Sequence, residues 1–514
     1  MKALLAKYYP FFVSAALMCL LLWFIYPHYQ YYIDPDGTAY LTISQRYASG
    51  DYMRAINGYW SPWGCWLTAI LIRFGMEAVS ASVVINVMGG VGFLWVAQSL
   101  FLRFDVIGKM QWLMSAALGA FLCYAVFHQS FDDLWECFFL LGCLRLMLSG
   151  NFLQRPALWV LTGVLGTLAY FAKAYSFPFF MLNTVVCVQL LAKGNRMLWV
   201  RISATAIGVM AVCSMPWIWI LHSKYGIWTT STSGTLNTSW YLVGHPQWKE
   251  GLGQLLPPVY GDSPNYWEDP WAANGATPHF WNSFSLFGLQ ILRVGLNCWK
   301  FLVSLFQLSI FFPSVFLFAV LSLFHKKFKA LFSPDLRIAV VSFLLFPAGY
   351  FLVNFEPRYL WYMLPLGMIM ATVIYSRYLT TNKHVFFLAI FVGSFIFFPV
   401  AGMNGMYDEG KREYQMAQEL KRCGIKGPFT SIVNPGTENQ RALRLAYFSG
   451  NPFYSIPLPG ISADDLAKEV RRYHIRYFFV FGERSGQQAK ELSSLHLSEI
   501  VGCNIPGLKI YAID

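Results

Sequence analysis

Charge is what this chain is short of. Asp, Glu, Lys and Arg make up 12% of its 514 residues, where a soluble domain carries about 25%. With 56% hydrophobic and 18% aromatic residues, the composition excludes an ordinary soluble enzyme and a disordered tail. Cysteine is sparse as well: ten are spread along the chain and none form a Cys-x-x-Cys pair. That excludes a small disulfide scaffold and speaks against a zinc site. There is no Walker A sequence and no Gly-rich fingerprint behind a strand, so no nucleotide site is marked. Internal repeats and low-complexity runs are missing too.

What the chain has instead is long apolar runs, with a mean hydropathy of +0.45. Runs of about 17–25 residues mark membrane spans. They fall near 10–27, 81–102, 110–127, 133–149, 157–172, 174–192, 197–221, 304–324, 336–354, 358–376 and 384–402, about 11 in all by hydropathy. The net charge of +12 would suggest an acidic partner such as nucleic acid. Fifteen of the basic residues, among them Lys2, Arg103, Lys193, Lys326, Lys327, Lys329 and Arg377, sit at alternate junctions with only Asp105 and Asp335 as acids. The positive-inside bias therefore absorbs the whole excess, and no patch remains for DNA or RNA. The expected topology has a cytoplasmic N-terminus, a retained first helix and, from an odd number of spans, an extracytoplasmic C-terminus. The membrane is read as a bacterial inner membrane.

The expected organisation is a membrane part, 1–402, with two outer loops, 28–80 and 222–303, followed by an extracytoplasmic α/β domain, 403–514. In the first loop, 38–48 and 62–74 read as short amphipathic helices, with Pro62 in a first turn and Ser61 as its cap. The second loop is rich in Trp, Tyr, Pro and Gly up to Ser283, with Trp240, Tyr241, His245, Tyr266 and Trp267. Residues 284–303, carrying Arg293 and Lys300, read as a helix lying along the interface. After 403 the composition turns soluble. Strands are expected at 430–433 and 476–481, and helices at 437–448, 463–473 and 487–493. Cys423 and Cys503 share this last segment and can pair if the compartment is oxidising.

A few charges at the outer junctions are weighed singly. Asp34 and Asp36 can hold a divalent cation, or one can act as a base, but Asp34-Pro35-Asp36-Gly37 also reads as an Asx turn. Asp132, Asp133 and Glu136 cluster at the mouth of a span, where three acids are costly unless they face water or a cation. Capping of that helix is the plain alternative. Lys173 in Ala172-Lys173-Ala174, and Arg358 in Glu356-Pro357-Arg358-Tyr359, break the inner bias at two outer junctions. They point to an anionic ligand, against snorkelling for Lys173 and simple pairing with Glu356 for Arg358.

These stretches together resemble the membrane glycosyltransferases of the GT-C fold. The likeness is to the polyprenyl-phosphate-sugar-dependent group, which includes protein O-mannosyltransferases and the aminoarabinose transferase of lipid A. Its carriers are Asp36-Gly37-Thr38-Ala39-Tyr40, Gly50-Asp51, Ser61-Pro62, Asp132 and Asp133, Ala172-Lys173-Ala174, Glu356-Pro357-Arg358-Tyr359 and Pro365. The resemblance implies a polytopic helical fold and transfer of a sugar from a polyprenyl-phosphate donor to a lipid, glycan or protein acceptor. It implies Asp36 as the catalytic carboxylate, with Asp34 in reserve because the family's second acid is Gly37 here. Asp132, Asp133 and Glu136 then serve the acceptor or a metal. Lys173 and Arg358 serve the donor phosphate, since Ser61 stands where some relatives place a phosphate-touching Lys. Trp240, Tyr241, Tyr266 and Trp267 would contact the sugar. No cofactor is fixed by the sequence, and a divalent cation on Asp34 and Asp36 stays open. Two other functions are weighed: a transporter or flippase of a lipid-linked sugar, which would need charges at mid-membrane, and a non-catalytic envelope assembly protein.

Overall fold

The computed structural model describes residues 2–127, 132–244, 255–273, 278–378, 381–431, 437–457, 461–482 and 497–513. His245 and the expected helix 487–493 lie outside them. The described chain is predominantly helical, and six of its helices are long and apolar enough to cross a membrane. They include Lys7–Tyr29, Ala78–Arg103, Arg196–Tyr225 and Phe284–Leu308, and three shorter apolar helices accompany them. Large apolar side chains cover the outside: Trp23 is 78% exposed and Phe284 98%. A surface of that kind suits lipid, where only helices satisfying their own backbone groups are tolerated.

Inside the bundle the side chains interlock. Phe93, Phe101, Phe180, Phe312, Phe343 and Tyr362 are fully buried in one continuous core. Small residues let helices approach closely. A Cβ on Gly163 would stand 2.5 Å from the Ala206 carbonyl oxygen, so Pro156–Ala172 can lie against Arg196–Tyr225 only because Gly163 has none.

The expected and observed spans differ in three places: 336–354 is broken between Leu345 and Ala348, 358–376 opens with a 3₁₀ turn before the helix Met363–Tyr378, and the third break is larger. Residues 304–324 are not one helix: Phe284–Leu308 ends at Ser309, and Pro313 sits in the first turn of a new helix, Phe312–Phe324. Nor do residues 284–303 form a helix of their own. They belong to the continuous Phe284–Leu308 helix, whose Gln290, Asn297 and Ser304 are buried against protein. Gln290 donates to the Leu352 carbonyl at 2.6 Å, Asn297 to Phe351 at 3.0 Å, and Arg293 stacks on Tyr241. An amphipathic pattern thus marks a protein-facing stripe here, not a water-facing one.

The first loop is built from two helices, Pro35–Ser49 and Pro62–Arg73, packed on each other. Asp34 caps the first, its carboxylate accepting from the Gly37 amide at 2.7 Å, with Pro35 in the first turn and Gly50 closing the end at φ 86°. Ser61 takes the cap position of the second without a side-chain bond. The stretch 255–273 carries little regular structure, only a 3₁₀ turn at Tyr266–Glu268 and one turn of helix at Pro270–Ala273.

Residues beyond Met406 form a four-stranded mixed sheet, β1 (Phe429–Ser431), β2 (Tyr477–Phe481), β3 (Leu497–Glu499) and β4 (Leu508–Ile513), in the order β1-β2-β4-β3. β1 and β2 run parallel, with Thr430 opposite Phe478, and the other two pairs are antiparallel. Helices Lys411–Arg422 and Thr437–Ser449 pack together beside it. Cys423 and Cys503 form a disulfide. This unit is docked on the loops: Arg444 bonds the Ile33 carbonyl and Glu409, and the Phe453 amide donates to Pro264 at 2.8 Å. A Cβ on Gly410, at φ 83°, would collide with the Tyr31 carbonyl, so that approach requires glycine.

Candidate active site

A cavity of about 930 Å³ lies where the first loop, the aromatic loop and the ends of several helices meet. Asp36, Asp132, Asp133, Lys173, Arg358, Trp240, Tyr241, Tyr266 and Trp267 all line it. Two of the sequence candidates do not. Asp34 lines a separate small cavity of about 30 Å³, and Glu136 is buried behind the wall, accepting from Ser176 at 2.9 Å. Asp34 and Asp36 therefore do not face one ligand together. Among the described residues, no three His, Cys, Asp or Glu side chains are grouped to hold a metal.

Asp36 occupies the first turn of its helix. One carboxylate oxygen accepts from the Trp267 indole at 3.1 Å, and the other lies 3.5 Å from the Arg358 guanidinium. Burial raises its pKa above the usual carboxylate value, while Arg358 opposes the rise and Glu356 adds to it. The result is a carboxylate of raised basicity facing a cavity, which is what a general base needs. Burial pushes Asp34 well up as well, reinforced by Asp36.

The two cations are neither snorkelling nor isolated. Lys173 ends the Pro156–Ala172 helix, pairs with buried Asp133, and stands 4.5 Å from the centre of the Tyr359 ring. Burial lowers its pKa well below the ordinary lysine value, and Arg358 adds to that. Arg358 bridges Glu356 at 2.8 Å, Asp36 at 3.5 Å and Asp133 at 3.7 Å. Burial works against its charge, but Glu356 leads the neighbours that outweigh it, and its pKa is raised. Asp132 takes the N-cap position of the helix Asp133–Met147 without a side-chain capping bond; its carboxylate accepts instead from the Gly64 amide at 2.7 Å, which ties it to the second first-loop helix. Burial holds its carboxyl well above the usual range.

An aromatic wall closes the far side. Trp267 stacks on Trp240 at 5.6 Å and meets Tyr59 at 5.5 Å and Trp60 at 5.6 Å. Tyr59, in Asn57-Gly58-Tyr59-Trp60, is not marked by the sequence; its hydroxyl donates to Asn237 at 2.9 Å. Polar lining at Thr229, Ser231, Ser233 and Asn237 was missed too, because lone Ser, Thr and Asn carry no spacing signal. Asn439 and Leu443, from the helix beside the sheet, complete the lining. No pattern in sequence could bring residues so distant to the cavity.

No known protein family matches the chain by sequence, and no curated protein matches it. Solved structures do. ArnT from Cupriavidus metallidurans bound to undecaprenyl phosphate superposes with a TM-score of 0.55 at 13% identity, over 97% of both chains. The apo form of the same protein gives 0.52 at 13% identity, again over 97% of both. A mutant of the arabinofuranosyltransferase AftD from Mycobacteria gives 0.50 at 14% identity, over 98% of this chain and 41% of that one. A likeness that covers 97% of both chains is a likeness of fold: the chain has the GT-C fold of the membrane glycosyltransferases.

Proposed function

We propose that this protein is a glycosyltransferase that moves a sugar from a polyprenyl-phosphate carrier to a lipid, glycan or protein acceptor. The observation that carries the reading is the convergence of Asp36, Lys173 and Arg358 on one cavity under an aromatic wall. Three residues far apart in sequence supply the groups that such a transfer needs. The acceptor hydroxyl or amine attacks the anomeric carbon, and its proton passes to the Asp36 carboxylate. The bond from that carbon to the phosphate oxygen breaks, and polyprenyl phosphate leaves with the electron pair. Lys173 and Arg358 stabilise the charge that develops on the departing phosphate. Trp240 and Trp267 offer ring faces to the sugar and exclude water. Asp132 and Asp133 hold the cavity's acidic side, Asp133 as the counter-ion that keeps Lys173 oriented. A bound undecaprenyl phosphate in the Cupriavidus ArnT structure supports a donor of this class.

In this reading residues 1–402 are the catalytic membrane part and 403–514 an extracytoplasmic domain that helps close the cavity. The N-terminus is cytoplasmic and the membrane is a bacterial inner membrane, on the strength of the charge bias. The test is Asp36→Asn in cells and in purified form. Mass spectrometry of lipids and glycans, with and without the protein, identifies the transferred mass. Asp36→Asn should lower turnover about 10²–10⁴-fold, the usual worth of acid–base catalysis. Near-normal turnover by a well-folded variant would end the assignment.

A further inference from the structure

The aromatic stretch 255–273 raises a mechanical question: it touches the proposed base, yet it has almost no regular structure to fix it. Beyond the Phe453 amide's bond to Pro264, its position comes from side chains. Arg46, buried in the first-loop helix, aims its whole guanidinium at this stretch. Its Nε and Nη2 both donate to the Glu268 carboxylate, the latter at 3.1 Å. The other edge takes Asp262 at 3.2 and 3.1 Å, Nη2 also reaches Ser263, and Nη1 reaches Asp51 at 3.2 Å. Glu268 is 1% exposed, so this is a desolvated, two-pronged arginine–carboxylate pair of the geometrically demanding kind. Asn57 adds a bond to the Glu268 carbonyl at 2.7 Å, and Lys224 holds buried Asp269 at 2.9 Å.

Glu268 directly follows Trp267, whose indole donates to Asp36. Arg46 and Asp36 lie on the same helix, Pro35–Ser49. The helix thus carries the base near one end and, near the other, the clamp for the residue that bonds the base. We propose that Arg46 and Glu268 are positioning residues: their buried pair fixes the Trp267 indole against Asp36 and makes the stretch a fixed wall of the site. The inference rests on the transferase reading, with Asp36 as base. Neither residue touches the cavity. Both act through Trp267, so their effect should fall on turnover and vanish once the indole N–H is gone.

The experiment uses the full-length protein in proteoliposomes, with polyprenyl-phosphate-linked sugars extracted from the host's membranes. Release of polyprenyl phosphate is read by mass. Trp267→Phe keeps a ring but removes the donor. Glu268→Gln keeps the shape but removes the charge, and Arg46→Lys keeps the charge but cannot grip two carboxylates. Each should lower kcat about tenfold, with the apparent KM for the donor pool within twofold of normal, as misplacement by a fraction of an ångström does. The double variant Trp267→Phe/Glu268→Gln should match Trp267→Phe alone. Losses that multiply to about 100-fold would overturn the clamp. So would a Glu268→Gln protein that loses thermal stability while its folded fraction keeps normal kcat. Asp36→Asn run alongside separates the two ideas. If Asp36→Asn is inactive but the losses multiply, only the clamp is wrong. If Asp36→Asn turns over normally, the transferase reading itself fails.

Discussion

Replacing Arg358 with Gln removes the group that joins three acids in the proposed site. Its guanidinium spans Glu356 at 2.8 Å, Asp36 at 3.5 Å and Asp133 at 3.7 Å. The three acids will not suffer equally. Glu356 is 37% exposed in its side chain and rehydrates at little cost. Asp133 is 3% exposed but keeps Lys173 as a counter-ion. Breaking a buried pair by removing one partner costs about 3–5 kcal/mol, and with these two offsets the stability loss should sit near the low end, at about 3 kcal/mol. The catalytic loss is larger in kind. Without the cation, the leaving phosphate loses one of its two stabilising charges, worth about 10²–10³ in rate for a preorganised electrostatic group. Asp36 also loses the neighbour that holds its pKa down. Its pKa therefore rises further, less of it is ionised at neutral pH, and the acidic limb of the kcat/KM profile moves to higher pH. Arg358→Lys should restore the limb and part of the rate, since a point charge remains but the bridging fork does not. The assay is polyprenyl-phosphate release in proteoliposomes from pH 5 to pH 9. An Arg358→Gln protein that stays folded, keeps kcat/KM within threefold and leaves the acidic limb unmoved would refute the donor-site reasoning.

Lys173→Met should destabilise the fold by about 3 kcal/mol, because buried Asp133 keeps only the more distant Arg358, at 3.7 Å, as a counter-ion. Adding Asp133→Asn should recover most of that stability in a thermal scan but none of the turnover; recovery of both would make Lys173 purely structural. Trp240→Ala and Trp267→Ala should weaken donor binding, since each stacked aromatic contact is worth about 0.5–1.5 kcal/mol; an unchanged apparent KM in both would remove them from the sugar wall. Cys423→Ser should cost the C-terminal unit roughly 2–4 kcal/mol by opening a long covalent loop, seen as a lower melting temperature that reductant no longer alters. After reduction, Cys423 should label with an impermeant thiol reagent from outside intact spheroplasts. Labelling only after permeabilisation would reverse the proposed topology.

Much of the local structure was legible because it is local. Pro35 and Pro62 start helices, Gly50 ends one, and Asp34 sits where a cap belongs. Apolar runs mark most of the bundle's helices, since a lipid-exposed helix must be apolar along its length. The pattern failed where the partner of a polar stripe could not be known. Arg293 and Asn297 look like a water-facing edge, and only their contacts with Tyr241 and Phe351 make them a protein-facing one. It failed again at Ser309, where one apolar run breaks into two helices. The short strand β3 carried too few residues to stand out.

The sequence by itself determined the solvent of this protein and which of its charges were out of place. A 12% charged chain must bury its apolar length in lipid, and once the inner bias absorbs the basic excess, Lys173 and Arg358 remain as exceptions. Tertiary structure decided what those exceptions face. It sent Asp34 and Asp36 into different cavities, although they are two residues apart, because a helix start turns neighbouring side chains in different directions. It paired Lys173 with Asp133 across 40 positions, and bound Arg46 to Glu268 across 222. Pairings at such range leave no trace in spacing, because they are set by which helices and loops pack together rather than by the local backbone.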